Sequence, residues 1–182
     1  MKIDINNRLN IKLEGVEYDK KFVFSEPGYN FEPSELGAAF GLQQLKKFKS
    51  FTIIRNKNFN ILFEFFKNFS KFFILPKVHK NVFTNFLAYP IILKDNKSFN
   101  RKQMQLFLEK NNIQTRPIFS GNILRHPAFK RLQDKKNKLN SFKNSDYVMK
   151  NGILIGCHQG LKHKEMSKIK NVIQKFLKKI KA

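Results

Sequence analysis

Phe83-Thr-Asn-Phe-Leu-Ala-Tyr-Pro-Ile-Ile-Leu93 reads as a strand: a short run rich in aromatic and β-branched residues, with Pro90 predicting an edge position or a bulge. Working downstream, Asn100 caps a helix that turns Met104, Phe107 and Leu108 inward and ends at Asn111-Asn112. Ile113 to Phe119 predicts a second strand, Ser120-Gly121-Asn122 a turn, and His126 to Leu132 a short helix before a Lys/Asn-rich loop. Ser145 to Met149 is a further helical turn, and Gly152-Ile-Leu-Ile155 a buried strand. Lys164 to Lys179 is a last amphipathic helix with Ile169, Val172, Ile173, Phe176 and Ile180 on its apolar face. From residue 83 the order is β-α-β-α-β-α, which predicts an α+β layer with helices covering one face of a sheet.

Upstream, Leu9 to Leu13 alternates apolar and polar, Glu14-Gly15 marks a turn, and Lys21 to Phe24 returns as the second strand of a hairpin. Pro33 then opens a helix that runs to about Phe48 with Leu36, Ala39, Phe40 and Leu45 inward. Gly37 and Gly41 share one face of it; each weakens an isolated helix by about 1 kcal/mol relative to Ala, so close packing against a partner is expected there. A second helix spans about Phe51 to Phe69, with Ile54, Ile61, Leu62, Phe65, Phe66 and Phe69 as its core stripe. Pro76 closes that region. The resulting partition is a strand-rich arm over residues 1–32, two linking helices over 33–75, and a small α+β domain over 76–182.

Composition narrows the class. The 182 residues carry Lys+Arg 36 against Asp+Glu 13, a net charge of +23, yet 41% are hydrophobic and 21 are Phe, so the chain buries a real core. The lysines are spread along the chain beside abundant Asn, Ile and Phe, as an A/T-rich coding sequence would give on any fold. Weak, non-specific nucleic-acid affinity is the most that this charge predicts. One cysteine excludes a disulfide framework and any Cys-rich zinc module. Phe86 to Leu93 is far shorter than the ~20 residues that span a bilayer, and the first residues lack the apolar core of a secretory signal. A cytoplasmic protein that makes no use of a membrane is the expectation.

Read for chemistry, the residues nominate no complete catalytic set and no metal site. Cys157 and His158 are adjacent in sequence, where strand side chains point to opposite faces, so Cys157 reads as a small core residue. His79, His126, His158 and His163 have no metal-ligand spacing, and no glycine-rich phosphate loop follows a strand. What stands out is polar turn chemistry that a core does not require: Tyr29-Asn30 after Pro27-Gly28, and Arg116, Asn122 and Arg125 within Thr115 to Pro127. Arg and Asn on turns hold phosphates or polyhydroxylated ligands, and also serve as ordinary surface turns.

Gly28-Tyr-Asn-Phe-Glu-Pro-Ser-Glu-Leu-Gly-Ala-Ala-Phe-Gly-Leu-Gln-Gln-Leu45 resembles the segment after the cofactor-lysine region of the DegT/DnrJ/EryC1/StrS family of pyridoxal-phosphate-dependent sugar aminotransferases. Thr115 to Phe129, Asn144-Ser-Asp-Tyr-Val-Met149 and Gly156-Cys-His-Gln-Gly-Leu161 are similar, in order and spacing, to its CDP-4-keto-6-deoxyglucose 3-dehydrase-like branch. The resemblance is to the C-terminal half only. It implies the small domain of a fold type I enzyme acting on nucleotide-linked 4-keto-6-deoxyhexoses for surface polysaccharide. The large domain, with the cofactor lysine (a histidine in the dehydrases), has no match in these residues.

The resemblance further implies that Asn30, with Tyr29 beside it, reaches the cofactor phosphate of the other subunit in a homodimer. Arg116, Asn122, Arg125 and His158 match positions that face cofactor and nucleotide-sugar, with Gln159 standing where a His is frequent. Pyridoxal phosphate is therefore expected only in an assembly with an N-terminal half, and the chain alone is expected to be inactive. The other class left open is a stand-alone basic binding or scaffolding protein.

Overall fold

The structure is a computed structural model that describes residues 11–13, 16–18, 23, 26–29, 31–133 and 141–180. The chain divides into two compact units, Met1–Gln43 and Gln44–Ala182.

In the first unit, β1 (Ile11–Leu13) pairs antiparallel with β2 (Val16–Tyr18), Lys12 opposite Glu17. The hairpin is tighter than the sequence reading, which put the return strand at Lys21 to Phe24. The strand resumes straight after Glu14-Gly15, because Val16-Glu17-Tyr18 already supplies the alternation that pairing needs. Of Lys21 to Phe24, only Val23 is among the described residues, and it belongs to no strand. Asn30 also lies outside the described residues.

α1 (Glu35–Lys67) is one helix of 33 residues, not the two predicted. Nothing between Phe48 and Phe51 breaks it: Lys49 and Ser50 are both tolerated, and Ser50 Oγ donates to Lys47 O at 2.8 Å, a bond that stays within the helix. Ser34 caps its start, accepting from Gly37 N at 3.4 Å, with Pro33 just outside. Burial along α1 begins at Asn58 and Phe59 and takes in Leu62, Phe65 and Phe66. Leu36, Phe40 and Leu45, expected inward, are exposed, as is Ile54; within the second unit the buried side of α1 starts only at Asn58.

The second unit is built on four strands, β3 (Phe73–Ile74), β4 (Ala88–Leu93), β5 (Thr115–Arg116) and β6 (Gly152–Gly156). They form one antiparallel sheet in the order β3-β4-β6-β5. β4 and β6 are the long inner pair, with Pro90 opposite Leu154 and Ile91 opposite Ile153. Leu87 O accepts from Cys157 N while Lys94 N donates to Phe72 O, so even-numbered residues of β4 turn their backbone groups toward β3. β3 reaches only Ile92 and Leu93, so the N–H that Pro90 lacks is never called for. The strand at 113–119 shrinks to two residues because Pro117 cannot donate and Phe119 turns back at φ 47°.

One face of the sheet presents Tyr89, Ile91, Leu93, Ile153 and Ile155 to a core completed by Phe59, Leu62 and Phe66 of α1, Met104 and Leu108 of α2 (Arg101–Lys110), and Met166 and Ile173 of α4 (His163–Lys179). Phe66 stacks on Tyr89 with ring centroids 5.5 Å apart. Asn100 caps α2 through the reciprocal bonds expected of it: its Oδ1 accepts from Gln103 N at 3.0 Å while its N donates to Gln103 Oε1 at 2.9 Å. The helical turn at 145–149 is a full helix, α3 (Lys143–Asn151), leading directly into β6. A 3-10 helix, Pro127–Leu132, stands where a short helix was predicted, and a 3-10 turn, Ile123–Arg125, precedes it.

Candidate functional site

Of the polar residues singled out in the sequence, Arg116, Asn122, Arg125 and His158 lie around α3 and the sheet. Asn122 and Arg125 come together, and the residue that joins them is Asp146 in the first turn of α3. Asn122 Nδ2 donates to Asp146 Oδ1 at 2.8 Å, and Arg125 donates from Nε at 2.5 Å and from Nη2 to Oδ2 at 2.7 Å, a two-pronged guanidinium–carboxylate pair. Those bonds, the Arg125 guanidinium first and the Asn122 amide second, hold the Asp146 carboxyl down at about 2. Asn122 is buried, and its Oδ1 also accepts from Leu124 N at 3.1 Å, capping the first 3-10 turn.

Backbone geometry requires this docking. Gly121 sits at φ +62°, and a Cβ there would collide with Met149 Cβ and lie 2.9 Å from Met149 Cα. Only glycine lets the loop lie on α3. The helix itself is pinned: Tyr147 Oη donates to Leu93 O at 3.1 Å and accepts from Asp95 N at 3.2 Å, while Arg101 Nη1 donates to Met149 O at 2.7 Å. Beside the loop, Asn122, Leu124, Arg131, Phe142 and Ser145 line an open cleft of about 490 Å³.

Arg116 stands elsewhere, exposed on edge strand β5, opposite Leu154 and on the sheet face away from the core. Its Nη1 donates to the neighbouring Thr115 O, at 3.3 Å. Thr115 is held by Glu109, whose Oε1 accepts from the Thr115 N at 2.6 Å and hydroxyl at 2.8 Å, which lowers the carboxyl below its ordinary range.

His158 follows β6 and is half-buried; its Nδ1 accepts from Gly160 N at 3.1 Å, which leaves the proton of the neutral ring on Nε2. The 158–161 turn is tied to α1 by Asn58, whose Nδ2 donates to His158 O and Leu161 O, and by Arg55 Nε donating to Gln159 Oε1 at 2.6 Å. Cys157 is buried, its thiol donating to Phe86 O at 3.5 Å, and burial pushes it up to about 12. It is a core residue, not a nucleophile at neutral pH. Tyr29 is exposed and stacks on Phe31 at 5.7 Å.

Sequence reasoning missed Asp146, Arg55 and Asn58. An acid in the first turn of a helix reads as dipole chemistry, and no local pattern connects Asp146 to a loop more than twenty residues earlier. Among the described residues no group of histidine, cysteine or acid side chains could hold a metal ion, and no helix is long and apolar enough to cross a membrane.

Residues 6–174 match the DegT/DnrJ/EryC1/StrS aminotransferase family. The chain is 30% identical over 159 residues to the lipopolysaccharide biosynthesis protein RfbH of Salmonella typhimurium, covering 87% of this chain and 36% of that one. It is 30% identical over 143 residues to the GDP-4-keto-6-deoxy-D-mannose 3-dehydratase of Escherichia coli O55:H7, covering 79% and 36%. It resembles the solved Escherichia coli GDP-4-keto-6-deoxy-D-mannose-3-dehydratase with bound hydrated PLP at a TM-score of 0.70 and 28% identity, over 84% of this chain and 38% of that one. The chain thus spans little more than a third of each.

Pyridoxal phosphate needs a shielded amine to hold it, an acid against the ring nitrogen, and donors on the phosphate. The described residues do not by themselves fit it. Of the lysines with placed side chains only Lys170 is not exposed, and the carboxylates with placed side chains are either engaged (Glu64, Glu109, Asp146, Glu165) or exposed.

Proposed function

Because the chain belongs to the DegT/DnrJ/EryC1/StrS aminotransferase family, we propose that it is the C-terminal portion of a pyridoxal-phosphate-dependent nucleotide-sugar enzyme. The substrate class is a nucleotide-linked 4-keto-6-deoxyhexose, and the reaction is loss of the 3-hydroxyl or, in the aminotransferase variant, amination of the sugar. The observation that carries this reading is a family match over residues 6–174 by a chain that spans 36% of its 3-dehydratase relative. Without the remaining polypeptide it is inactive, because no described amine or acid here fits the cofactor.

In the assembled enzyme, a homodimer, Asn30 and Tyr29 contact the cofactor phosphate of the other subunit. Arg116 and His158 offer an exposed guanidinium and an imidazole Nε2–H to the nucleotide-sugar, while Asn122 and Arg125 fix the Gly121 loop through Asp146 and bring it to the same ligand.

Joining this chain to the unmatched portion of the Escherichia coli 3-dehydratase tests the reading. The expected result is consumption of GDP-4-keto-6-deoxymannose with loss of the 3-hydroxyl, followed by mass spectrometry. Asn30→Asp is expected to weaken cofactor binding about tenfold or more, since a carboxylate has no proton to offer the phosphate. A folded, cofactor-loaded assembly that turns over neither this sugar nor an amino-sugar counterpart would refute it.

A further inference from the structure

α4 divides its side chains into two opposed rows. Met166, Ile169, Ile173, Phe176 and Leu177 are buried in the core. On the other side, at alternating steps of four and three residues, stand Lys164, Lys168, Asn171, Lys175 and Lys178, with Lys179 beside the last, and all of them are exposed. At about 1.5 Å of rise per residue the row is about 21 Å long. No carboxylate offsets it. The acid of α4, Glu165, lies off the row, where its Oε2 accepts from Lys162 N at 2.9 Å as part of the helix cap. Elsewhere in the second unit Glu64 holds Lys67, Glu109 holds Thr115, and Asp146 holds Asn122 and Arg125. Lys168, Lys175, Lys178 and Lys179 make no hydrogen bond or ion pair among the described residues.

A straight row of cations fits a straight row of anions. Over about 21 Å of its axis one strand of a nucleic-acid duplex carries about six phosphates, so the lysines of the row, on flexible stems, can meet most of them. Asn171 and Gln174, exposed among the lysines, can donate to phosphate and sugar oxygens. No exposed residue of α4 is aliphatic, Phe or Tyr. A single strand therefore finds no such ring on which to stack its bases, and a bilayer finds no apolar side chain to bury. We propose that the outer side of α4 binds the phosphate backbone of double-stranded nucleic acid without regard to sequence. The net charge of +23 predicts weak affinity spread over the whole surface; the row gathers it at one place. None of its residues belongs to the candidate site, and the binding does not depend on the proposed enzymatic reaction.

The test titrates the full 182-residue chain into a fluorescent mixed-sequence DNA duplex and follows anisotropy as salt rises from about 50 to about 200 mM. With about five phosphates engaged, log affinity is expected to fall against log salt with a slope of about −4 to −5. Combining Lys168→Gln, Lys175→Gln, Lys178→Gln and Lys179→Gln is expected to make the slope shallower by about 3–4 and to weaken low-salt binding at least about tenfold. A control of equal charge, Lys46→Gln, Lys47→Gln, Lys49→Gln and Lys97→Gln, removes exposed lysines outside the row and is expected to change the slope by less than about 1. Unchanged far-ultraviolet circular dichroism in both variants keeps a folding defect from being read as lost binding. Equal losses in the two variants would assign binding to net charge and overturn the proposal. So would a native slope shallower than about −2, or a preference of about a thousandfold or more for one sequence. Attachment to phosphatidylglycerol vesicles without binding to the duplex would give the face to a lipid surface and overturn it as well.

Discussion

Gly121→Ala and Gly41→Ala are chemically the same change and are expected to have opposite signs. At Gly121 two costs add. A Cβ at φ +62° costs about 1–2 kcal/mol from the left-handed backbone alone. The same Cβ would collide with Met149 Cβ and stand 2.6 Å from its Cγ and 2.9 Å from its Cα. A new Met149 rotamer moves the Cγ aside but leaves the Cβ and the backbone where they are. Loop and helix must therefore separate by about 1 Å, an overpacking cost of about 1–3 kcal/mol. α3 cannot yield easily, since Tyr147 and Arg101 pin it through the Leu93 and Met149 backbone oxygens. The total is about 2–5 kcal/mol. At Gly41, in a helix and facing open space, the Cβ meets nothing, and the same substitution gains up to about 1 kcal/mol of helix propensity. Urea unfolding measures both: with a slope of about 1–3 kcal/mol/M, Gly121→Ala lowers the midpoint by about 1 M or more. If the loop undocks without unfolding the unit, the Asp146 carboxyl, followed by NMR, rises from about 2 toward its ordinary 3.8. A Gly121→Ala chain with its urea midpoint and its Asp146 titration both unchanged would show that the loop is not held against α3 as described.

Asp146 also makes stability depend on acid. Its folded pKa lies below the unfolded value, so the unfolded chain binds more protons below about pH 4. Its contribution, complete above that, is lost as pH falls toward about 2. Asp146→Asn is expected to flatten that part of the urea-midpoint curve, leaving the share due to Glu109 and Glu165, which are lowered by their own hydrogen bonds; an unchanged curve would refute the assignment. Phe66→Ala removes a fully buried ring packed on Tyr89 and Phe73 and should cost about 3–5 kcal/mol by calorimetry, against under about 1 kcal/mol for Leu106→Ala on the surface. Pyridoxal phosphate followed by borohydride should label the isolated chain's lysines diffusely; a single stoichiometric lysine in the peptide map would contradict the poor fit of these residues to the cofactor.

Local pattern was enough to place the elements whose signals are local. Asn100 capping α2, the buried run Gly152 to Ile155, and the apolar face of α4 all depend on neighbours within a few residues, where periodicity and capping chemistry act. The ordered motifs likewise carried the family and its α+β fold. That α1 runs unbroken through Lys49-Ser50 is local too, since neither residue breaks a helix; the sequence reading put a boundary where none was signalled. Long-range packing decided the rest. Whether Leu45 and Phe48 were core depended on where the sheet ends, which no helical wheel contains. Pro90 is accepted in an inner strand only because β3 is too short to reach it. Asp146 became the centre of the Asn122–Arg125 cluster because Gly121 lets the backbone approach Met149 within a distance no side chain permits. Residue identity limits what each group can bond to; only the folded chain, by excluding water and volume, decides which partner arrives.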